Sequence, residues 1–249
     1  MKRYFFRISY DGTAYSGWQR QDNAPTVQEC LETNLSKLYG RKTPIVGCGR
    51  TDAGVHAADY FFHVDLEPSK HHLNDLKFKL NLMLPSDICI NDILEVHDEA
   101  HARFDAVSRS YLYHLSFVKD SFDYKYTYRY DQGGEISFEL LQEAAEMIKN
   151  YKSFFPFCKS KSDVSNYDCF LTESKWIMKT PEKWTYHISA NRFLRGMVRL
   201  IVGMCINVAS SRLELKDVVK ALEEQSRMQR AWTVPAHGLF LTDIKYPYI

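Results

Sequence analysis

Asp52 lies in the run Gly49-Arg50-Thr51-Asp52-Ala53-Gly54-Val55-His56, with a further glycine at position 47. Glycine permits tight or left-handed backbone and lets another molecule approach closely. An acidic side chain on such a loop, between structured elements, is a common setting for a catalytic carboxylate. The plainer use of an Asp in a glycine-containing turn is to satisfy the local backbone. No Gly-Lys-Ser/Thr follows, so the run is not a phosphate-binding loop, and the chain carries no dinucleotide fingerprint. The loop supplies a carboxylate and does not say what it acts on.

A second group of chemistry-bearing residues runs from Asn191 to Gly203, where Arg192, Arg195 and Arg199 recur at i, i+3 and i+7. At helical spacing the three share one face, and a helix is expected over 193–209. The positions between them are largely apolar, which predicts a buried helix, and a buried arginine needs an anion because an unpaired charge out of water is costly. An internal carboxylate, with Asp52 preferred as the partner of Arg199, and the phosphates of an RNA are the two candidates. A solvated charged face is the simpler alternative.

The stretch from Ala102 to Tyr113 adds Arg103, Arg109, Tyr111 and Tyr113 around one strand, the two tyrosines on the same side by the period of two. Aromatic rings stack on splayed RNA bases while arginines take phosphates. Tyr113 reads better as a core residue. His97 and His101, four apart, would face one another only on a helix, and they lack the HExxH order of a metal-binding helix. No Ser-His-Asp or Cys-His nucleophile arrangement is legible.

The elements that must position these groups follow from periodicity. Residues 3–10 read as a strand ended by Asp11-Gly12. Thr26 with Glu29 forms a capping box for a helix whose face is Val27, Leu31, Leu35 and Leu38. Residues 47–54 form a loop, 60–64 a strand, 73–84 a helix stopped by Pro85, and 88–96 a strand. Beyond these, 109–118 reads as a strand, 137–150 as a helix, 170–178 and 184–190 as strands, 193–209 and 214–224 as helices, and 239–245 as a strand. The stretch 159–168 is polar and without period, hence a surface loop. The fold class is α+β: two similar α/β halves, 1–105 with the Asp52 loop and 106–249, with mostly antiparallel sheets flanked by helices and an active-site cleft between them.

Composition bounds the rest. The chain has 249 residues, 45% hydrophobic and 25% charged, as for an ordinary globular protein with one large domain or two. Lys plus Arg number 32 against 31 Asp plus Glu, so no global field points to a polyanion, and an RNA partner requires basic residues gathered on one face. Cys30, Cys48, Cys89, Cys158, Cys169 and Cys205 are scattered, with neither metal-site nor disulfide spacing. Reduced thiols in a cytoplasmic protein are expected, since Arg7 arrives too soon for a secretory leader. The longest apolar run, 193–209, contains Arg195 and Arg199, and a charge near the bilayer centre costs about 2.5 kcal/mol or more, which argues against a membrane span.

Taken together, these segments resemble the TruA family of tRNA pseudouridine synthases from near the N-terminus to the last strand. The motifs are Tyr10-Asp11-Gly12 with Gly17-Trp18-Gln19-Arg20-Gln21, Pro25-Thr26-Val27-Gln28, and the Gly49–His56 loop. Ala102-Arg103-Phe104 with Arg109-Ser110-Tyr111, Met197-Val198-Arg199 with Ile201-Val202-Gly203, and Gly238-Leu239 complete the series.

The resemblance implies two α/β halves, a homodimer, no metal, no cofactor, and conversion of uridine to pseudouridine on the 3′ side of the tRNA anticodon stem-loop. It implies that Asp52 is the nucleophile, that Arg50 helps hold the displaced nucleotide, that Tyr111 contacts the target base, and that Arg199 pairs with Asp52. Arg20, Arg103, Arg109, Arg192 and Arg195 are further candidates for RNA contact. The chemistry agrees: the base must leave the stack, and a carboxylate can hold the reaction covalently, through sugar or ring, while the uracil turns.

Three regions depart from the family pattern. Tyr60 stands where glutamine is usual, Arg230-Ala231-Trp232 occupies a region normally smaller, and 155–168 differs; these bear on substrate detail and not on reaction type. Two other classes compete, a non-catalytic RNA-binding protein on the same scaffold and a metal-dependent hydrolase using His97 and His101.

Overall fold

A run rich in aromatic residues opens the chain as a long strand, and the remaining elements build two mixed α/β units. The computed structural model describes residues 1–67, 72–131, 133, 135–159 and 165–249. Among the described residues the elements run β1 (Lys2–Tyr10), α1 (Val27–Tyr39), β2 (Val46–Gly47), β3 (His56–Leu66), α2 (Leu73–Met83), β4 (Ile88–Val96) and β5 (Ser108–Ser116). They continue as β6 (Tyr128–Arg129), α3 (Phe138–Met147), β7 (Leu171–Thr180), β8 (Lys183–Ala190), α4 (Met197–Ala209), α5 (Leu215–Glu223) and β9 (Leu239–Lys245), with short 3-10 turns between.

The first unit comprises residues 1–107 with 240–249. Its strands are ordered β4-β1-β3-β9, with β2 added on β3. The β1–β3 and β1–β4 pairs are antiparallel, whereas β3 and β9 run parallel with His56 opposite Phe240. One face carries Phe6 stacked on Phe62 at 4.8 Å. The other carries Phe5 and Phe61, each edge-on to Tyr246 at 5.1 and 5.2 Å. Tyr246 and Tyr248 donate their hydroxyls to the Ala102 carbonyl and the Asp105 carboxylate, so the last residues close the sheet that the first residues opened.

In α1, Thr26 accepts from the Glu29 amide at 3.3 Å, as the sequence predicts for a cap, and Val27, Leu31 and Leu35 are buried. The strand expected at 60–64 begins earlier, at His56, because the register with β1 extends to Ala57 opposite Tyr10.

The second unit, residues 108–239, is the antiparallel meander β5-β8-β7 with β6 parallel to β5. Trp176, Tyr186 and Tyr113 lie at paired positions on one face and are buried. Ser174 on that face donates to the Ala145 carbonyl of α3 at 2.6 Å. Ser137 caps α3, accepting from the Leu140 amide at 3.2 Å.

The helix expected from 193 starts only at Met197. Gly196 sits at φ 71°, in the left-handed region that suits glycine, and turns the chain into the helix there. From that point every residue of α4 except Arg199 is buried, the pattern of a helix packed on all sides. Residues 160–164 of the loop expected at 159–168 lie outside the described residues; Asp168 pairs with Ser153 in an isolated bridge. Among the described residues no helix is long and apolar enough to cross a membrane.

Candidate active site

Arg50 and Asp52 sit on the loop between β2 and β3, Arg50 exposed and Asp52 half-buried. The loop is braced from four places in the first unit. Tyr10, at the end of β1, hydrogen-bonds through its hydroxyl to Thr51 Oγ1 at 2.9 Å. The Trp18 amide donates to the Thr51 carbonyl at 3.3 Å, and the Gly54 amide donates to the Tyr15 carbonyl at 3.2 Å. Tyr60, on β3, donates its hydroxyl to the Gly49 carbonyl at 2.6 Å. The Val55 amide closes a turn on the Asp52 carbonyl at 3.2 Å.

The close approach of the 15–18 segment depends on Gly17. Its φ is 88°, and a Cβ there would stand 2.3 Å from the Thr51 carbonyl oxygen. Downstream, the buried His56 ring stacks on Phe240 at 4.6 Å, and its Nδ1 lies 3.0 Å from Asp11 Oδ1 and 3.1 Å from the Gly12 amide nitrogen. The loop is therefore a fixed surface with one carboxylate presented at it, the preorganisation a nucleophile requires.

The second unit places Arg199 on the first turn of α4. Arg199 Nε donates to the Val234 carbonyl at 2.7 Å, and the Val234 amide returns to the Arg199 carbonyl at 3.4 Å. The strap around Val234 lies directly on the helix: a Cβ at Gly203 would stand 2.0 Å from the Trp232 carbonyl oxygen, and Asn207 donates to the Arg230 carbonyl at 3.1 Å. The departure at Arg230-Ala231-Trp232 is thus part of the support that fixes the direction of the Arg199 guanidinium. Tyr111, on β5, is half-buried with its ring edge-on to Phe193 at 5.1 Å and 89°. Tyr113, two residues on, is fully buried and donates to the Pro235 carbonyl at 3.0 Å, a core role.

The arginine stripe does not survive as a helical face. Arg192 and Arg195 precede Gly196 in non-helical chain, and only Arg199 rides on α4, so the i, i+3, i+7 spacing has no geometric meaning. Arg195 is exposed; its carbonyl accepts from the Lys159 amide at 3.0 Å. Arg109 donates to the Asn191 carbonyl at 2.8 Å, tying β5 to the segment that carries Arg192. Arg20 is held by Glu29 at 3.5 Å and Glu32 at 3.3 Å on α1, and Arg103 lies over the Phe104 ring at 5.5 Å.

His97 and His101 are not on a helix. His101 Nδ1 accepts from the Arg103 and Phe104 amides in a turn, which orients the imidazole toward its own backbone. Among the described residues no group of three or more His, Cys, Asp or Glu side chains is placed to hold a metal. Sequence reasoning missed Tyr10, Trp18 and Tyr60 as supports of the loop; a signal for two of them was Gly47, whose missing side chain makes room for Trp18 and Tyr60.

Comparison with known proteins shows the family to which the chain is related. A family model described as tRNA pseudouridine synthase matches residues 7–105 and 150–247. Over 99% of this chain, the protein is 38% identical to tRNA pseudouridine synthase A of Bacteroides fragilis, of which 97% is covered. It is 40% identical to proteins of the same name from Parabacteroides distasonis and Porphyromonas gingivalis, again over 99% of this chain and over 97% and 98% of theirs. The Asp52 loop and Arg199 fall within the residues matched by the family model, whereas Arg109 and Tyr111 fall between its two segments.

Proposed function

The chain belongs to the tRNA pseudouridine synthase family, and from that premise we propose that Asp52 is the nucleophile that converts uridine to pseudouridine in the anticodon stem-loop of tRNA. The observation that carries the assignment is the loop itself: a half-buried carboxylate beside an exposed arginine, on backbone fixed by Tyr10, Trp18 and Tyr60.

The reaction is an isomerisation. The bond from N1 to C1′ breaks, a bond from C5 to C1′ forms, and the proton that leaves C5 is matched by one gained at N1, so every atom is conserved. The base has to be out of the helical stack for this to happen. Asp52 holds the nucleotide covalently while the uracil turns. Arg50, exposed two residues before it, takes the phosphate of the displaced nucleotide. Tyr111 meets the target base with its ring, as aromatic side chains do when they receive an extruded base, and Arg199 has the role of a compensating cation. We propose in addition that the protein acts as a homodimer in the cytoplasm; light scattering that gives one chain per particle removes the dimer.

The test is incubation of the purified protein with unmodified tRNA, followed by mapping of pseudouridine, with Asp52→Ala in parallel. The wild type forms pseudouridine in the anticodon arm, and the variant loses about six orders of magnitude in rate, the scale seen when a nucleophile is deleted. A wild type that forms none sinks the proposal; pseudouridine mapped only outside the anticodon arm removes the position. An Asp52→Ala protein that works as well as the wild type removes the nucleophile.

A further inference from the structure

Three aromatic side chains form a cradle under the loop that carries Arg50 and Asp52. Tyr60 stacks on Trp18 with ring centroids 4.1 Å apart and an angle of 28°, and Tyr10 meets Tyr60 edge-on at 5.7 Å. All three are buried, Tyr60 completely. The two phenols reach the loop on either side of Arg50: Tyr60 donates to the Gly49 carbonyl at 2.6 Å, and Tyr10 bonds the Thr51 hydroxyl at 2.9 Å. The backbone cannot rotate about Arg50 without breaking one of them.

Space for this is made at Gly47. A Cβ there would lie 2.2 Å from the Tyr60 hydroxyl and 2.5 Å from Trp18 Nε1. Burial holds the Tyr60 phenol well above its ordinary titration range, so it stays protonated and acts as a donor. A buried phenol needs some partner; here the partner is the residue next to Arg50, while the ring alone would fill the same core space.

We propose that Tyr60 is a positioning residue for the reaction, its hydroxyl fixing the Gly49 carbonyl and through it the directions of Arg50 and Asp52. The inference rests on the assignment of Asp52 made above. Tyr60 does not touch the substrate. Its loss removes no reacting group but lets the loop, and the carboxylate with it, sample neighbouring conformations, and a 1 Å misplacement costs as much as ~100-fold in rate. Tyr60→Phe keeps the stack on Trp18 and deletes only the hydroxyl, so the core is preserved.

The experiment is single-turnover conversion of tRNA with saturating enzyme, together with tRNA binding and thermal melting, for wild type, Tyr60→Phe, Tyr10→Phe and Asp52→Ala. Tyr60→Phe is expected to lower the single-turnover rate about tenfold, within that ceiling, with tRNA affinity within about twofold of wild type, and Tyr10→Phe to act the same way. A purely structural role would lower melting temperature and leave the rate of the folded enzyme unchanged. The proposal is overturned if the Tyr60→Phe rate stays within about twofold of wild type, or if affinity falls by as much as the rate. Should Tyr60→Phe melt below the assay temperature, Tyr10→Phe decides by the same criteria. Asp52→Ala separates the two readings: full activity there removes the nucleophile, whereas an inactive Asp52→Ala beside an unaffected Tyr60→Phe removes only the positioning role.

Discussion

The two units hold their candidate residues by opposite means. In the first, Asp52 stands on irregular backbone whose shape is set by the hydroxyls of Tyr10 and Tyr60, the amide of Trp18 and the carbonyl of Tyr15, spread over fifty residues of sequence. In the second, Arg199 stands on a helix whose other twelve residues are buried, with the carbonyl of Val234 accepting from its guanidinium. A loop has no internal ladder of hydrogen bonds, so every support must come from elsewhere and each can be removed separately. A buried helix satisfies its own backbone, so its position depends on packed volume, to which a close-packed interior is sensitive. Polar deletions should therefore injure the first unit through chemistry and added volume should injure the second through stability.

Paired glycine replacements put this contrast to its hardest test. Gly17→Ala forces a φ of 88° on a residue with a side chain and drives its Cβ to within 2.3 Å of the Thr51 carbonyl oxygen, one residue from Asp52. Pseudouridine formation per folded molecule is expected to fall by about 100-fold, the scale of a 1 Å displacement. Gly203→Ala improves helix propensity by ~1 kcal/mol but places a Cβ 2.0 Å from the Trp232 carbonyl oxygen. Backbone cannot yield as a flexible side chain does, so overpacking wins, at ~1–3 kcal/mol, and the melting temperature drops by roughly 2–4 °C for each of those kcal/mol. The contrast breaks if melting and turnover show Gly203→Ala losing more rate than Gly17→Ala, or Gly17→Ala losing stability alone.

The same contrast explains what was legible in the sequence. Several elements with a period were read nearly to the residue: β4 at 88–96 and β9 at 239–245 coincide with the expected spans, and the Thr26 and Ser137 caps stand at or beside the predicted starts. The Asp52 loop was visible because glycines bracket it. Its supports were not, since nothing local marks Tyr60 as a donor to Gly49; only the register of β3 brings that phenol beneath the loop. The arginine stripe failed for the converse reason. Helical spacing is informative only inside a helix, and the left-handed Gly196 delays α4 past Arg192 and Arg195. Glycine was read there as one more residue of an apolar run, when it was the boundary.

A smaller effect sharpens the comparison on stability instead of rate. Each unit carries a strand histidine that resists protonation. His63 in β3 is 6% exposed, its Nδ1 accepts from the Ala102 amide at 3.1 Å, and its pKa is lowered to about 4, first by burial and then by the charges of Arg3 and His101, against Asp65 and Asp105. His187 in β8 is lowered in the same direction by burial, with Lys175 and Lys179 adding to it and Glu173 opposing. Both folded pKa values lie below that of an unfolded histidine, near 6.5. The stability each contributes is therefore complete above that value and is lost as pH falls, for His63 between about 6.5 and about 4. The urea midpoint should fall between pH 7 and pH 5. His63→Gln, which keeps an acceptor for the Ala102 amide and carries no titrating group, should remove a larger share of that fall than His187→Gln, because the better-enclosed histidine has more to lose on charging. If His187→Gln flattens the pH dependence more, the first unit's β3 face is wetter than its aromatic neighbours imply, and the acid-sensitive element lies in the second unit.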